Sequence, residues 1–137
     1  MTTFVDTSVW YAGTNIRDGD NARAKQLLAN LEAPIMTDHV LAETWRLVRN
    51  RIHRQAAERF WDGVRHGAAM VENVTTADME AAWAIGEAFP DQDFSLVDRT
   101  SFAVMERLGI TRVASFDSHF AVYRYGRSRE RAFEVLR

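Results

Sequence analysis

The spacing of apolar residues along this chain switches between short unbroken runs and a helical period. Thr2 to Val5, centred on Phe4-Val5, breaks abruptly on Asp6, the pattern of a short buried strand. From Asp18 to Leu31 apolar positions recur at helical spacing, with Ala22, Leu27, Leu28 and Leu31 as the predicted inner face. Pro34-Ile35-Met36-Thr37 predicts a second strand. Asp38 is placed to cap a helix running to about Ile52, with Val40, Leu41, Trp45 and Val48 buried. A further helix is predicted over Gln55 to Arg65, stopping at Gly67, and Met70 to Val74 reads as a third strand. Thr75-Thr76-Ala77-Asp78 has the form of a capping box ahead of a helix to about Phe89, which Pro90 stops. Ser95 can cap another helix to Leu108, closed by Gly109. Val113-Ala114-Ser115 predicts a fourth strand and Phe133 to Leu136 a fifth.

Strands alternating with helices predict an α/β fold: a parallel sheet of four to five strands, helices on both faces, and right-handed crossovers. No linker, repeat or low-complexity stretch interrupts the pattern, so one domain over residues 1–137 is expected. In such sheets ligands bind beyond the carboxyl ends of the strands, where the strand order reverses. The polar residues at strand ends therefore carry the interest.

Composition narrows the chemistry. At 137 residues and 47% hydrophobic, the chain can bury a core and does not read as disordered. The absence of Cys removes disulfides, zinc–thiolate sites and thiol nucleophiles, and agrees with a reducing cytoplasm, the expected location. No apolar run approaches the roughly 18–20 residues of a membrane span, and no signal-peptide pattern opens the chain, so no membrane association is expected. A formal net charge of −2 supplies no global field for nucleic acid. The charge is uneven, however: from Ser118 onward five Arg face two Glu. All basic residues but Lys25 are Arg, whose planar fork suits phosphate, although a GC-rich genome would give the same bias.

Four acidic residues fall where the predicted sheet would gather them. Asp6 follows the first strand, and Glu43 lies early in the helix after the second. Asp98 lies in the first turn of the helix opened by Ser95, and Asp117 directly follows the fourth strand. Asp93 is a candidate fifth. Each has a local explanation too. Asp6 can cap a helix starting near Ser8, Asp98 can complete a capping box, Asp117 can cap a short helix over Ser118 to Tyr123, and Glu43 can pair with Arg46. Caps explain single positions and not convergence. Crowded carboxylates repel one another, more so when partly buried, and a divalent cation relieves that repulsion. Hard oxygen ligands select Mg²⁺ or Mn²⁺, and such an ion can acidify a water and stabilise charge on a phosphate. Thr7 and Ser8 can hydrogen-bond the Asp6 carboxylate or a metal-bound water, or simply cap the helix.

The segments "FVDTSVW", "HVLAETW", "FSLVDRTSFAVM" and "VASFDSHF" together resemble the PIN-domain ribonucleases, and among them the VapC toxins of bacterial toxin–antitoxin pairs. Each segment alone is weak, but four in order over nearly the whole chain are specific. The resemblance implies that Asp6, Glu43, Asp98 and Asp117 are the acidic quartet of that family, with Ser8 as its small hydroxyl residue. It further implies an Mg²⁺ or Mn²⁺ cofactor, phosphodiester hydrolysis in RNA, inhibition by a VapB-type antitoxin, and a homodimer. On that basis Asp6, Asp98 and Asp117 are expected to contact metal, and Glu43 to orient a water or bind metal through one. Structured tRNA or a ribosomal RNA loop is the expected kind of target.

Around the quartet, His119 is the one histidine expected near the site; His39, His53 and His66 show no ligand spacing. Arg99, Arg124 and Arg127 are candidate RNA contacts. The stretch through Arg129 and Arg131 is the candidate footprint, with Arg46, Arg49, Arg51 and Arg54 as a second path. Trp10, Trp45, Trp61 and Trp83 read as core or interface. Two other readings compete. A strand ending "VDTS" also suits a phosphotransfer fold with a nucleophilic Asp, but that chemistry needs a downstream Lys, and Lys25 lies early. A non-catalytic RNA-binding module on the same fold would have no need of an intact quartet.

Overall fold

The computed structural model describes residues 1–137. The strands are β1 (Thr2–Val5), β2 (Ala33–Thr37), β3 (Met70–Glu72), β4 (Arg112–Ala114) and β5 (Glu134–Leu136). The helices are α1 (Thr7–Thr14), α2 (Asn21–Ala29), α3 (Asp38–Arg51), α4 (Arg54–Gly63), α5 (Thr76–Ala88), α6 (Leu96–Leu108) and α7 (His119–Val122). A wider π-type turn, Val64–Ala68, follows α4 and contains Gly67 at φ 101°. The five strands form one sheet in the order β3-β2-β1-β4-β5, with every pairing parallel. Right-handed crossovers put α1–α4 on one face and α5–α7 on the other. The order reverses at β1, so the switch point lies between the carboxyl ends of β1 and β4.

A parallel sheet covered on both faces needs apolar side chains in both directions. Phe4, Val5, Val113 and Ala114 supply them and are fully buried. Under α5–α7 the core is aromatic. Phe102 stacks on Tyr123 at 4.2 Å between ring centroids, and Phe94, Phe120 and Phe133 pack around the pair. The Tyr123 hydroxyl donates to Glu106 at 2.7 Å, and burial followed by this acceptor holds the phenol above its usual range.

Both predicted capping boxes form, Thr75 with Asp78 and Ser95 with Asp98. Gly109 closes α6 at φ 69°, a conformation that favours glycine. Several expectations change. The helix expected over Asp18–Leu31 is shorter, because the Asp18 carboxylate accepts the Asp20 N–H at 2.8 Å and holds a turn there. Ala22 is exposed and Ala24 is buried instead. Thr37, not Asp38, caps α3 through the Val40 N–H at 3.0 Å. Asp38 becomes the first helical residue and accepts the Val74 N–H at 2.9 Å, which ends β3 two residues early. Leu41 and Trp45 are half-buried, while Trp61 and Trp83 are exposed. No helix is long and apolar enough to cross a membrane.

Candidate active site

The site begins where β1 runs out. The Asp6 N–H still donates to Ala114 O at 3.0 Å, so the chain keeps its place beside β4 before turning into α1. Asp6 is the N-cap of α1, and its Oδ2 accepts the Ser8 N–H at 3.4 Å and the Ser8 hydroxyl at 2.8 Å. The same oxygen accepts the Ser115 hydroxyl at 2.9 Å, from the end of β4. Ser8 Oγ in turn accepts the Phe116 N–H and Ser115 Oγ the Asp117 N–H, both at 3.0 Å. Two serines therefore tie the ends of β1 and β4 together through one carboxylate.

Asp6 is only 5% exposed. Burial pushes its carboxyl up to about 6; the Ser8 and Ser115 hydroxyls pull the other way, and the charges of Asp98 and Asp117 push it up again. Glu43, on the second turn of α3, is half-buried, and its carboxyl is also raised. Burial is the main cause, opposed by the nearby Thr7 hydroxyl and reinforced by Asp98 and Asp117. Thr7 Oγ1 is itself buried without a hydrogen-bond partner, so its hold on Glu43 is loose.

Asp98 sits in the first turn of α6, where its Oδ2 accepts the Ser95 N–H at 3.0 Å. It also accepts from His119 Nδ1 at 2.7 Å. Asp117 Oδ1 accepts the His119 N–H at 2.8 Å and lies 3.4 Å from His119 Nδ1. One ligand atom from each of Asp98, Asp117 and His119 lies within 4.8 Å of the others. The local explanations and the convergence thus hold together: three of these carboxylates bond to backbone N–H groups at helix starts, and those starts meet at one edge, where the helix dipoles favour negative charge.

A common pattern runs through the three aspartates. Asp6 Oδ2, Asp98 Oδ2 and Asp117 Oδ1 are held by protein donors, while the second oxygen of each makes no hydrogen bond within the chain. The ligand atoms that Asp98 and Asp117 bring together, and the charge both exert on Asp6 and Glu43, make a carboxylate-rich neighbourhood of the kind a hard divalent cation takes. Asp6 and Asp98 are buried, while Glu43 and Asp117 are half-buried.

Other expected residues fall away from this cluster. Asp93 is exposed and makes no hydrogen bond to the quartet; it lines a depression of about 370 Å³ with Trp83, Gly86 and Arg99. Arg99 is laid against Gly86 on α5, with its Nε 3.4 Å from Ser95 O. Arg124 Nη1 donates to Ala121 O at 2.7 Å and Tyr123 O at 3.0 Å, binding the carboxyl end of α7. Arg127 is exposed and makes no side-chain hydrogen bond. The sequence placed His119 near the site, as found, but gave no role to Ser115 as a partner of Asp6. Their places two residues before and two after Asp117 were the available signal.

Residues 3–124 match the PIN domain family. The chain is 39% identical over 119 residues to the 23S rRNA-specific endonuclease VapC20 of Mycobacterium tuberculosis, across 86% of this chain and 91% of that protein. The crystal structure of the M. tuberculosis VapC20, a sarcin-ricin loop cleaving toxin, aligns with a TM-score of 0.81 at 35% identity, covering 86% and 91% of the two chains. A chain of a toxin–antitoxin complex from Klebsiella pneumoniae shares the fold at a TM-score of 0.66 and 14% identity, covering 88% and 91%. By sequence and by fold, this chain belongs to the PIN domain family, on its VapC-type branch.

Proposed function

We propose that this chain is a metal-dependent ribonuclease toxin of the VapC type, folded as one domain over residues 1–137. It hydrolyses phosphodiester bonds in RNA and is held in check by a VapB-type antitoxin. The observation that carries this reading is the meeting of Asp6, Glu43, Asp98 and Asp117 at the switch point, close enough for their charges to act on one another. The likeness to VapC20 favours a ribosomal RNA loop over tRNA as the substrate, and a ribosomal target implies action in the cytoplasm. The working assembly is a homodimer.

Asp6, Asp98 and Asp117 would hold the ion, Mg²⁺ or Mn²⁺, through their three unengaged oxygens. The ion would supply Lewis acidity at the phosphate and lower the pKa of water beside it. Ser8 and Ser115 keep the Asp6 carboxylate from rotating. Glu43, with its carboxyl raised by burial, is suited to accept a proton at a carboxylate oxygen as a nucleophilic water is activated. Ser95 sets Asp98 at the start of α6, and the α6 dipole favours an anion there.

The test is cleavage of intact ribosomes and of an isolated sarcin-ricin loop hairpin by purified protein in Mg²⁺, Mn²⁺ or EDTA, with cut sites mapped by primer extension. Expected is a single metal-dependent cut that Asp6→Ala abolishes while leaving the protein folded. RNA binding with no cut in either metal would favour the non-catalytic module instead.

A further inference from the structure

The histidine beside the quartet has a placement that helix capping does not require. A backbone N–H is all that Asp117 needs from residue 119, and any residue type would supply it. The imidazole does something separate. Its Nδ1 lies 2.7 Å from Asp98 Oδ2, an oxygen already accepting the Ser95 N–H. An ionised carboxylate only accepts, so Nδ1 carries the proton and donates it. The ring is held in place from the side by Phe94, edge-on at 5.3 Å and 81°. With two donors on Oδ2, the Asp98 carboxylate cannot rotate freely, and Oδ1 is left without a donor.

Building on the metal-dependent reading above, we propose that His119 is a positioning residue: its Nδ1–H locks Asp98 so that the carboxylate offers a single oxygen to the divalent cation. A direct ligand role for His119 is the rival arrangement, since its ring nitrogen lies within 4.8 Å of the Asp98 and Asp117 ligand atoms. Two facts favour the positioning role. Nδ1, the ring nitrogen that faces both Asp98 and Asp117, is taken up by Asp98 Oδ2, and Mg²⁺ and Mn²⁺ prefer carboxylate oxygen to imidazole, which weighs against ligation through Nε2. Histidines and carboxylates that orient ligands without touching metal are a recurrent part of metal sites.

His119→Asn and His119→Gln separate these arrangements. The Asn amide nitrogen stands the same number of bonds from Cβ as Nδ1, and the Gln amide nitrogen the same number as Nε2. Mn²⁺ affinity is read by electron paramagnetic resonance on RNA-free protein, and cleavage is read alongside it. Expected is a Mn²⁺ affinity lower by about tenfold or more in His119→Gln, the usual effect of losing an orienting partner, with most of it recovered in His119→Asn. The cleavage loss in His119→Gln should fall on kcat at saturating RNA and leave KM nearly unchanged. In the parent protein, ¹⁵N NMR of the ring should show Nδ1 still protonated when Mg²⁺ saturates the site. Equal Mn²⁺ affinity in His119→Gln and the parent overturns the proposal, as does loss of the Nδ1 proton on Mg²⁺ binding. A parent protein that binds no Mn²⁺ would instead remove the metal-dependent reading itself, and this inference with it.

Discussion

Asp6 serves two masters at once, and the conflict is measurable. As N-cap it stabilises α1; as a buried carboxylate near Asp98 and Asp117 it costs free energy when ionised. Its carboxyl titrates near 6 in the folded chain against 3.8 for an ordinary aspartate. Between those values the folded chain binds more protons than the unfolded one, so stability falls as pH rises. The stabilisation is complete below the unfolded value and gone once pH passes about 6; the difference corresponds to roughly 3 kcal/mol. Asn also caps helices well, so Asp6→Asn removes the charge and keeps the cap. In EDTA at pH 7.5 the variant should melt above the parent, with the gap closing toward pH 4. Saturating Mn²⁺ should reverse the order, because only the parent binds the ion well. Thermal melts across that pH range decide the matter; a parent that melts higher in EDTA at pH 7.5 would mean the carboxylate is not penalised by its surroundings.

Among the elements, the two capping boxes form a natural experiment. Thr75–Asp78 opens α5 away from the quartet, where Asp78 is clasped by Arg107 at 2.9 Å from both Nε and Nη2. Burial tends to raise the Asp78 carboxyl, but Arg107 and Thr75 outweigh it and hold the group below its ordinary value. Ser95–Asp98 opens α6 at the quartet. Thr75→Ala and Ser95→Ala should each cost about 1 kcal/mol in urea titrations, the usual loss of a cap. Only Ser95→Ala should also slow RNA cleavage. Equal effects on cleavage would mean that Asp98 does not depend on its box.

These boxes were readable beforehand because capping is local and leaves its mark within four residues. The start of α3 was misread by one position because Thr37 and Asp38 are both capping types. His53, which caps α4 through its ring nitrogen at 3.0 Å from the Ala56 N–H, has no such signature. The places of Asp6 and Asp117 after β1 and β4, and of Asp98 in its capping box, were legible for the same reason as those elements. Ser115 was not, and His119 was expected near the site without its partner, since the bonds to Asp6 and Asp98 join distant parts of the chain. The basic stretch after α7 was legible only as charge. Arg124 turns out to bind the α7 carbonyls, so Arg124→Ala should lower the melting temperature and leave RNA binding nearly alone. Arg127 is free, and if it meets a phosphate its removal should flatten the log–log salt dependence of RNA affinity by about 0.7. A salt series on catalytically dead Asp6→Asn protein reads both slopes, and an unchanged slope without Arg127 would move the RNA path to Arg46, Arg49 and Arg54.

At the scale of the whole molecule, the exposed face of α5 bears on assembly. Ile85 and Phe89 of this helix and its end are buried and half-buried within the aromatic core. What remains outside is Trp83 at 68% exposure with Met79 and, from α6, Leu96. Large apolar side chains gathered on a surface favour a partner, and the commonest partner is a second copy related by a twofold axis. Light scattering should give about 31 kDa, twice the chain's 15.7 kDa, at micromolar concentration, and Trp83→Glu should return the monomer. A monomeric parent would count against the dimer.

The Asp6–Ser115 hydrogen bond joins residues 109 positions apart, and Asp117 and His119 lie beyond it. Pairing across such a span is intrinsically slow, since the loop must close before the contacts repay it. Until residues 115–119 have been made and β4 has paired with β1, a growing chain therefore holds the two halves of the quartet apart. An acidic site divided in this way between the first and fourth strands exists only once the sheet has closed around it.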